Sequence, residues 1–204
     1  MSKQSKWIHL LLLLIIICVF IWSSIKAADY LTWVLEVSPA VLIILLLLVT
    51  YRKFRFTTLS YLIVTILMIL MFIGGHYTYD DVPLFNWLKE KFHTQRNEYD
   101  RFGHFAKGFF AIIIREILIR KSCLRPSKWL IIITLSFILA LSALYEIMEW
   151  LGAEILGRSA KDFLGTQGDV WDSEWDMSLA FLGGILCLIV LSHLHNKYLR
   201  KIIE

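Results

Sequence analysis

The chain is poor in charge: only 19% of its 204 residues are Asp, Glu, Lys or Arg, whereas 58% are apolar. Soluble domains carry about 25% charged residues, and the mean hydropathy here is +0.65. This balance excludes an ordinary soluble domain and predicts an integral membrane protein. The net charge of +4 is small, and no basic cluster alternates with aromatic residues. Nucleic acid is therefore excluded as a partner.

Cysteine and catalytic signatures are also scarce. Cys18 and Cys187 lie in apolar runs and Cys123 lies in a basic loop, so no pair is placed for a bridge and none has metal-ligand spacing. The sequence lacks GxSxG, SxxK, a Walker loop and the dinucleotide glycine pattern, which disfavours acyl-enzyme chemistry. It also has no evident internal repeat, which argues against a conventional transporter.

What the chain does have is long apolar stretches, each close to the roughly 20 residues that cross a bilayer as a helix. Backbone groups in lipid must be bonded within their own segment, so each stretch is predicted to be α-helical. The expected architecture is all-α and polytopic, one six-helix transmembrane domain over residues 1–204. The predicted spans are 7–25, 34–50, 57–75, 102–119, 129–152 and 176–195.

The distribution of Lys and Arg predicts the orientation. Thirteen of them fall at the two ends and in the connections on the same side, against seven on the other side. Because positive charge is retained in the cytoplasm, both termini are expected there. Two long connections, 76–101 and 153–175, then lie outside. Within the first, residues 83–93 place apolar side chains on one stripe, which suits either a helix lying flat at the interface or a loop packed over the bundle.

Ionisable residues at membrane depth are costly and usually mark function or internal pairing. Asp100, His104 and Lys107 are spaced by four and three, which puts them on one helix face. Glu146 and Glu149 stand three apart near the end of the fifth predicted span. At about 1.5 Å per residue, both groups reach the same outer layer.

The sixth predicted span begins with a third acidic group, in which Asp169, Asp172 and Asp176 recur at intervals of three and four. Lipid on the outside forces such groups to face one another, so the sequence predicts an outward-facing pocket with carboxylates and one histidine. Because acids outnumber bases, a bound cation is one way to balance the charge. The alternative is buried ion pairing that merely holds the helices together.

Each group has a predicted role. A histidine among carboxylates can act as a general acid or base, so the catalytic candidates are His104, Asp100, Glu146 and Glu149. Side chains that could hold a phosphate or carboxylate at headgroup level are Arg101, Lys107, Arg158 and Lys161. A divalent ion such as Mg, Mn or Zn would be the cofactor, and its candidate ligands are Asp169, Asp172 and Asp176.

Three further patterns have structural interpretations. Glu36, three residues before Pro39, is interpreted as an acid near a helix start beside a kinking proline, with membership of the pocket as the alternative. Glu116 and Arg120, four apart, predict an inner-face salt bridge with Arg115 snorkelling beside it. Small residues that let the fourth and sixth spans approach closely are Gly103, Gly108, Gly183 and Gly184.

The motifs DRFGHFAKGF, YEIMEW and LGTQGDVWDSEWDM resemble the YjdF family of uncharacterised bacterial inner-membrane proteins over most of the chain. More distantly, their order resembles the VanZ-like proteins, which are linked to glycopeptide resistance. The resemblance implies a multi-pass protein of the bacterial cytoplasmic (inner) membrane with a role near lipid-linked envelope material. It also implies the site residues Asp100, His104, Glu146, Glu149, Asp169, Asp172 and Asp176.

Three functions compete. The leading hypothesis is that the pocket binds or modifies an anionic membrane lipid or a lipid-linked envelope precursor, with a divalent cation as helper. A small ion- or proton-coupled transporter is the second, motivated by the same carboxylates. A non-catalytic membrane scaffold, whose cluster is internal ion pairing, is the third. The sequence leaves open whether the protein is an enzyme.

Overall fold

A computed structural model of the chain describes residues 3–156 and 169–203, and every regular element within them is helical. The prediction of an all-α fold is confirmed. The helices are α1 (Lys3–Ser24), α2 (Tyr30–Thr50), α3 (Thr58–Tyr77), α4 (Pro83–Phe92), α5 (Tyr99–Lys107), α6 (Ala111–Lys121), α7 (Lys128–Leu156) and α8 (Asp172–Ile203), and a 3₁₀ turn (Gly108–Phe110) joins α5 to α6.

Five of these helices are long and apolar enough to cross a membrane: α1, α2, α3, α7 and α8. The fourth predicted span differs, because the 3₁₀ turn divides it into α5 and α6. Neither half has the length of a membrane-spanning helix, although together they run from Tyr99 to Lys121 without a break. The count of six spans and the cytoplasmic position of both termini therefore stay predictions.

The helix ends extend beyond the apolar stretches, most clearly in α8, where the predicted span was 176–195. Asp172 and Glu174 lie in its first turn, and Arg200 and Lys201 lie in its last turn. Acids at a helix N-terminus and bases at its C-terminus interact favourably with the helix dipole. The helix therefore continues through its charged flanks, whereas a prediction from hydropathy ends it at the edge of the apolar stretch.

The core is centred on α3, the most buried of the five long helices. Met68 and Phe72 of α3 are fully buried and belong to one apolar cluster with Ile112 of α6 and Cys187 of α8. α1 and α2 pack against α3, while α8 packs against α5, α6 and α7. Burial of apolar area stabilises the fold by about 25 cal/mol per Å², so these side chains hold the group α1–α3 against the group α5–α8.

The closest approach between helices lies beside the 3₁₀ turn. A Cβ atom added to Gly108 would overlap the carbonyl oxygen of Ala180, and one added to Gly183 would overlap that of Phe105. The two backbones are therefore in direct contact, which only glycine permits. The predicted contact between the fourth and sixth spans is confirmed for Gly108, Gly183 and Gly184, whereas Gly103 faces Tyr79 instead.

α4 occupies the stretch where the sequence predicted either an interfacial helix or a packed loop. The helix is present, and Leu84, Trp87 and Phe92 on its apolar face are each more than half exposed. An apolar face that covers nothing in the described part of the chain favours the interfacial helix. Its flat orientation in the membrane stays a prediction.

Candidate functional site

Five ionisable side chains from three helices meet at the end of the bundle where α5 and α8 begin. Asp100 and His104 come from α5, Glu146 and Glu149 from α7, and Asp176 from α8; we call them the carboxylate–histidine cluster. His104 is only 1% exposed and Asp176 2%, whereas Glu146 and Glu149 are partly exposed. The sequence placed all five in one pocket, and the structure brings them together.

The His104 ring is bonded on one edge and faces a carboxylate on the other. Its Nε2 lies 2.8 Å from Lys107 Nζ. An ammonium group can only donate, so Nε2 is the acceptor. Nδ1 lies 3.5 Å from Glu146 Oε1, and neither atom has a hydrogen-bond partner in the described structure. Because a neutral imidazole has one N–H and one lone pair, Nδ1 carries the proton while Nε2 accepts, and this N–H is unpaired in the described structure.

The two glutamates also lie close together. One carboxylate oxygen of each lies within 4.8 Å of the other and of a His104 nitrogen, and two negative charges at this distance repel unless a proton or a cation lies between them. Asp176 Oδ1, also buried, lacks a hydrogen-bond partner within residues 3–156 and 169–203. This end of the bundle thus needs either shared protons or a cation to be electrostatically satisfied.

The donor atoms fit a divalent cation. One nitrogen of His104 and one oxygen each of Glu146 and Glu149 lie within 4.8 Å of one another, and a second set with the same spacing joins His104 to Asp100 and Asp176. Carboxylates are the usual ligands of Mg and Mn, and a histidine with carboxylates also suits Zn. These sets differ from the predicted ligands Asp169, Asp172 and Asp176, of which only Asp176 belongs to either set, and the divalent cofactor stays a prediction.

Arg96 ties the start of α5 to the start of α8. Its buried guanidinium pairs with Asp172 and lies 3.9 Å from oxygens of both Asp100 and Asp169. Burial opposes the charged form, but the hydrogen bond and charge of Asp172 outweigh it and raise the pKa of Arg96 above its usual range. Asp172, a predicted metal ligand, is thus bound to a permanent cation.

Arg101, predicted to bind an anion, is also engaged by acids. It pairs with Asp169 and with Glu98, at 3.3 Å from the latter, and its guanidinium lies 5.5 Å from the Trp175 ring. Lys107, the second predicted anion-binding residue, points to His104. The other two, Arg158 and Lys161, lie outside the described residues.

Sequence reasoning missed two contributors to the site, Arg96 and Tyr145. The Tyr145 ring lies beneath Lys107 Nζ, 3.8 Å from the ring centre, and its hydroxyl donates to Glu36 Oε2 at 3.1 Å. Arg96 stands four residues before Asp100 but precedes α5 (Tyr99–Lys107), so helical spacing did not indicate it, and its partner Asp172 is 76 positions away. No sequence pattern indicates Tyr145, because its partner Glu36 is 109 positions away.

The interpretation of Glu36 as a helix-start acid is wrong. Asp29 caps α2, where its carboxylate accepts from Thr32 N at 2.7 Å, and Glu36 lies farther along the helix. Its bond to Tyr145 brings Glu36 to the edge of the carboxylate–histidine cluster. Membership of the pocket, the alternative, describes the contact better.

A second buried polar group lies at the other end of the bundle. Glu116 is fully buried and accepts hydrogen bonds from Thr57 Oγ1 at 2.9 Å, Ser60 Oγ at 2.6 Å, Arg120 at 2.7 Å and His195 Nε2 at 3.2 Å. We call these five residues the Glu116 cluster. The predicted salt bridge between Glu116 and Arg120 is confirmed.

Arg115 adjoins that cluster, and the expectation that it snorkels is wrong. It is buried, and it donates to His195 Nδ1 at 2.8 Å and to Asn196 Oδ1 at 2.7 Å. Both acceptors lie on α8. The Arg115 guanidinium, which was predicted to reach the headgroups, therefore holds α6 against α8.

Apolar side chains separate the two ends. Ile112, Ile138 and Cys187 are buried between them, and His104 and Glu116 are 12 residues apart along α5 and α6, which is about 18 Å at 1.5 Å per residue. The buried polar side chains of this layer are single hydroxyls, those of Ser142 and Thr134 on α7 and of Thr65 on α3. Thr134 and Thr65 donate to carbonyls of their own helices, and Ser142 Oγ has no partner in the described structure.

Comparisons with known proteins identify the family of this chain. Residues 8–197 match the model of a family described as "Predicted membrane protein (DUF2238)". Inner membrane protein YjdF of Escherichia coli (strain K12) is 40% identical over 184 residues, which cover 90% of this chain and 88% of that protein. No solved structure matches. The resemblance to the YjdF family is confirmed, and the distant one to VanZ-like proteins stays a prediction.

Proposed function

Because the chain belongs to the DUF2238 family of membrane proteins and is an integral inner-membrane protein like its relative, we propose that its carboxylate–histidine cluster holds a divalent cation. Through this cation the protein binds the phosphate of an anionic membrane lipid or a lipid-linked envelope precursor. The observation that carries the proposal is the buried Nδ1 of His104, which faces Glu146 Oε1 at 3.5 Å without a hydrogen bond.

The position of Lys107 selects between the two candidate ligand sets. Its ammonium lies 2.8 Å from His104 Nε2, where it would repel a cation. While Nε2 accepts from that ammonium, Nδ1 carries the ring proton, so a cation at Nδ1 requires this proton to move to Nε2 and the ammonium to turn away. Nδ1 lies on the side of Glu146 and Glu149. We therefore place the cation among these three residues. Asp100 and Asp176 lie close enough to add attraction without being ligands.

The charge balance supports a cation over simple ion pairing. Arg96 and Arg101 are already paired with Asp172 and Asp169. Within residues 3–156 and 169–203, Asp100, Glu146, Glu149 and Asp176 then share the ammonium of Lys107, with the guanidinium of Arg96 3.9 Å from Asp100. A buried carboxylate without a counter-charge is expensive, and a divalent ion removes that cost for several at once.

The phosphate ligand is inferred from the open side of the site. Glu146 and Glu149 are partly exposed, so a cation bound by them keeps free coordination positions. Mg and Mn commonly fill such positions with water and phosphate oxygens. Trp150, Trp171 and Trp175, near the same end of the bundle, are each more than half exposed, as tryptophans at headgroup level are.

Transport and a pure scaffold have less support. Transport needs a continuous polar path onward from the cluster, whereas Ile112, Ile138 and Cys187 lie buried on that side with only the isolated hydroxyls of Ser142 and Thr134 among the described residues of α7. A scaffold needs bonded polar atoms, whereas His104 Nδ1 and Asp176 Oδ1 are not bonded within the described part.

The test measures cation and lipid together. Protein purified in mild detergent is equilibrated with Mn²⁺, and bound metal is counted by mass spectrometry of the elements; native mass spectrometry of the same samples counts retained phospholipid before and after EDTA. Wild type should bind one Mn²⁺ and lose phospholipid on chelation. His104→Ala and Glu146→Gln should lose both properties.

Glu90→Gln is the matched control, because Glu90 is an exposed acid on α4, away from the cluster. It should behave as wild type. Equal metal content in Glu146→Gln and wild type would overturn the cation, and a number of retained phospholipids that EDTA does not reduce in metal-loaded wild type would overturn the lipid ligand.

A further inference from the structure

A groove unrelated to the carboxylate–histidine cluster runs between α1, α2 and α3. It has a volume of about 450 Å³, within the range of about 300–1,000 Å³ typical of small-molecule sites. Its walls are apolar and come from all three helices, among them Leu13, Ile16, Ile44, Leu47 and Val64. A cavity of this kind at membrane depth suits a hydrocarbon chain.

One end of the groove is polar. His9 forms hydrogen bonds with Tyr51 Oη at 2.9 Å and with Thr58 Oγ1 at 3.0 Å, which closes that end with a bonded polar floor. Beside it, the lining includes the exposed cations Lys6 and Arg52. Lys6 lies in the first turns of α1 and Arg52 follows the end of α2, so both stand at the same end of the bundle.

The groove opens toward lipid. Leu10 and Leu48, on its rim, are 44% and 47% exposed, and Val49 is 78% exposed. A phospholipid could therefore enter sideways from the bilayer, with its chains leading toward Ile16 and its headgroup at Lys6 and Arg52. Two cations at the polar end favour a negatively charged headgroup over a neutral one.

We propose that this groove is a binding site for an anionic phospholipid, with an acyl chain between α1, α2 and α3 and the headgroup phosphate held by Lys6 and Arg52. The site is independent of the proposed cation function, and either can fail without the other. His9 shapes the floor below the phosphate through its bonds to α3 and the end of α2.

The experiment titrates purified full-length protein with dioleoylphosphatidylglycerol or dioleoylphosphatidylcholine and follows lipid-bound species by native mass spectrometry. Wild type should bind phosphatidylglycerol more tightly. The double variant Lys6→Gln, Arg52→Gln should weaken that binding by about fivefold for each charge removed. Both residues are exposed, so this variant tests binding without disturbing the core.

Two filling variants test the chain site. Leu13→Trp and Leu47→Trp place a larger side chain inside the groove and should reduce the binding of both lipids. Leu14→Trp is the matched control, since Leu14 is half exposed and does not line the groove. It should leave both affinities unchanged.

The charge control is the double variant Arg125→Gln, Lys128→Gln, which removes two exposed cations that do not line the groove. If it weakens phosphatidylglycerol binding as much as the groove variant does, the preference is a general charge effect and the proposal is overturned. Equal affinity of wild type for the two lipids, or unchanged binding in both filling variants, would overturn it as well.

Discussion

The two polar clusters of the bundle each contain a fully buried histidine but differ in how their polar atoms are bonded. Glu116, fully buried, accepts from side chains of the α3 start, α6 and α8. In the carboxylate–histidine cluster, His104 Nδ1, Glu146 Oε1 and Asp176 Oδ1 have no hydrogen-bond partner in the described structure. Burial of charge alone therefore does not mark a site; unsatisfied buried charge does.

The two buried histidines make the same contrast. His195 uses both nitrogens, one toward Arg115 and one toward Glu116. His104 uses only Nε2, toward Lys107. A ring bonded on both edges is structural, whereas a ring with one unbonded edge beside carboxylates can take a cation there once its ring proton moves to the other nitrogen.

The largest expected effect comes from breaking the bonded cluster. Glu116→Gln would place an amide NH₂, itself a donor, against side chains that already donate to Glu116, and it would leave Arg120 without its charge partner. Removing one partner of a buried pair costs about 3–5 kcal/mol. Thermal unfolding in detergent should show a large fall in Tm. Glu90→Gln, exposed, should change little, and an equal Tm for the two variants would refute the structural role of the Glu116 cluster.

The next largest effect is expected from a variant that pushes α5 away from α8 and so displaces the residues of the carboxylate–histidine cluster that these helices carry. Gly183→Ala places a Cβ against the carbonyl of Phe105, and overpacking of this kind costs roughly 1–3 kcal/mol. Gly103→Ala is the control, because its Cβ would meet Tyr79 at an ordinary 3.6 Å. Stability and Mn²⁺ binding should both fall in the first variant and persist in the second; the reverse order would contradict the close contact.

A smaller and opposite effect is expected from Asp176→Asn. Neutralising one of several crowded buried charges should leave the metal-free protein as stable as wild type or raise its unfolding free energy by about 1 kcal/mol. The same change at Glu116 lowers it. Unfolding in EDTA compares the two amide variants directly, and a loss at Asp176 as large as that at Glu116 would show that both clusters are structural.

Hydropathy and residue spacing accounted for much of the fold. Five of the predicted spans are single long helices, and the glycines forecast the α5–α8 contact. The break at Gly108–Phe110 was not predicted, because a hydropathy window does not register two backbones in contact. Helix ends were placed too far inward, since charged flanks such as those of α8 stay helical through the dipole.

At the site, residue spacing predicted which side chains share a face of one helix, but it did not predict which side chains of different helices bond to each other. The interval between His104 and Lys107 predicted one face, and their side chains touch. The bond from Arg96 to Asp172 spans 76 positions, and the bond from Tyr145 to Glu36 spans 109. For His195, to which the sequence assigned no role, the partner Glu116 is 79 positions away.

Arg96 shows why such contacts escape sequence reasoning. The connection that carries it is fixed by tertiary bonds, in which Tyr99 Oη donates to the carbonyl of Leu70 at 2.8 Å and Asn97 Nδ2 donates to that of Val82 at 3.1 Å. Only with this path set does the guanidinium reach Asp172. No local pattern encodes that course.

The most direct test of the cation site is pulsed electron paramagnetic resonance of the purified protein loaded with one equivalent of Mn²⁺. The account predicts a nitrogen-14 coupling from the imidazole of His104, retained in Glu90→Gln and absent in His104→Gln. A bound Mn²⁺ whose spectrum shows oxygen ligands alone, identical in wild type and His104→Gln, would contradict it.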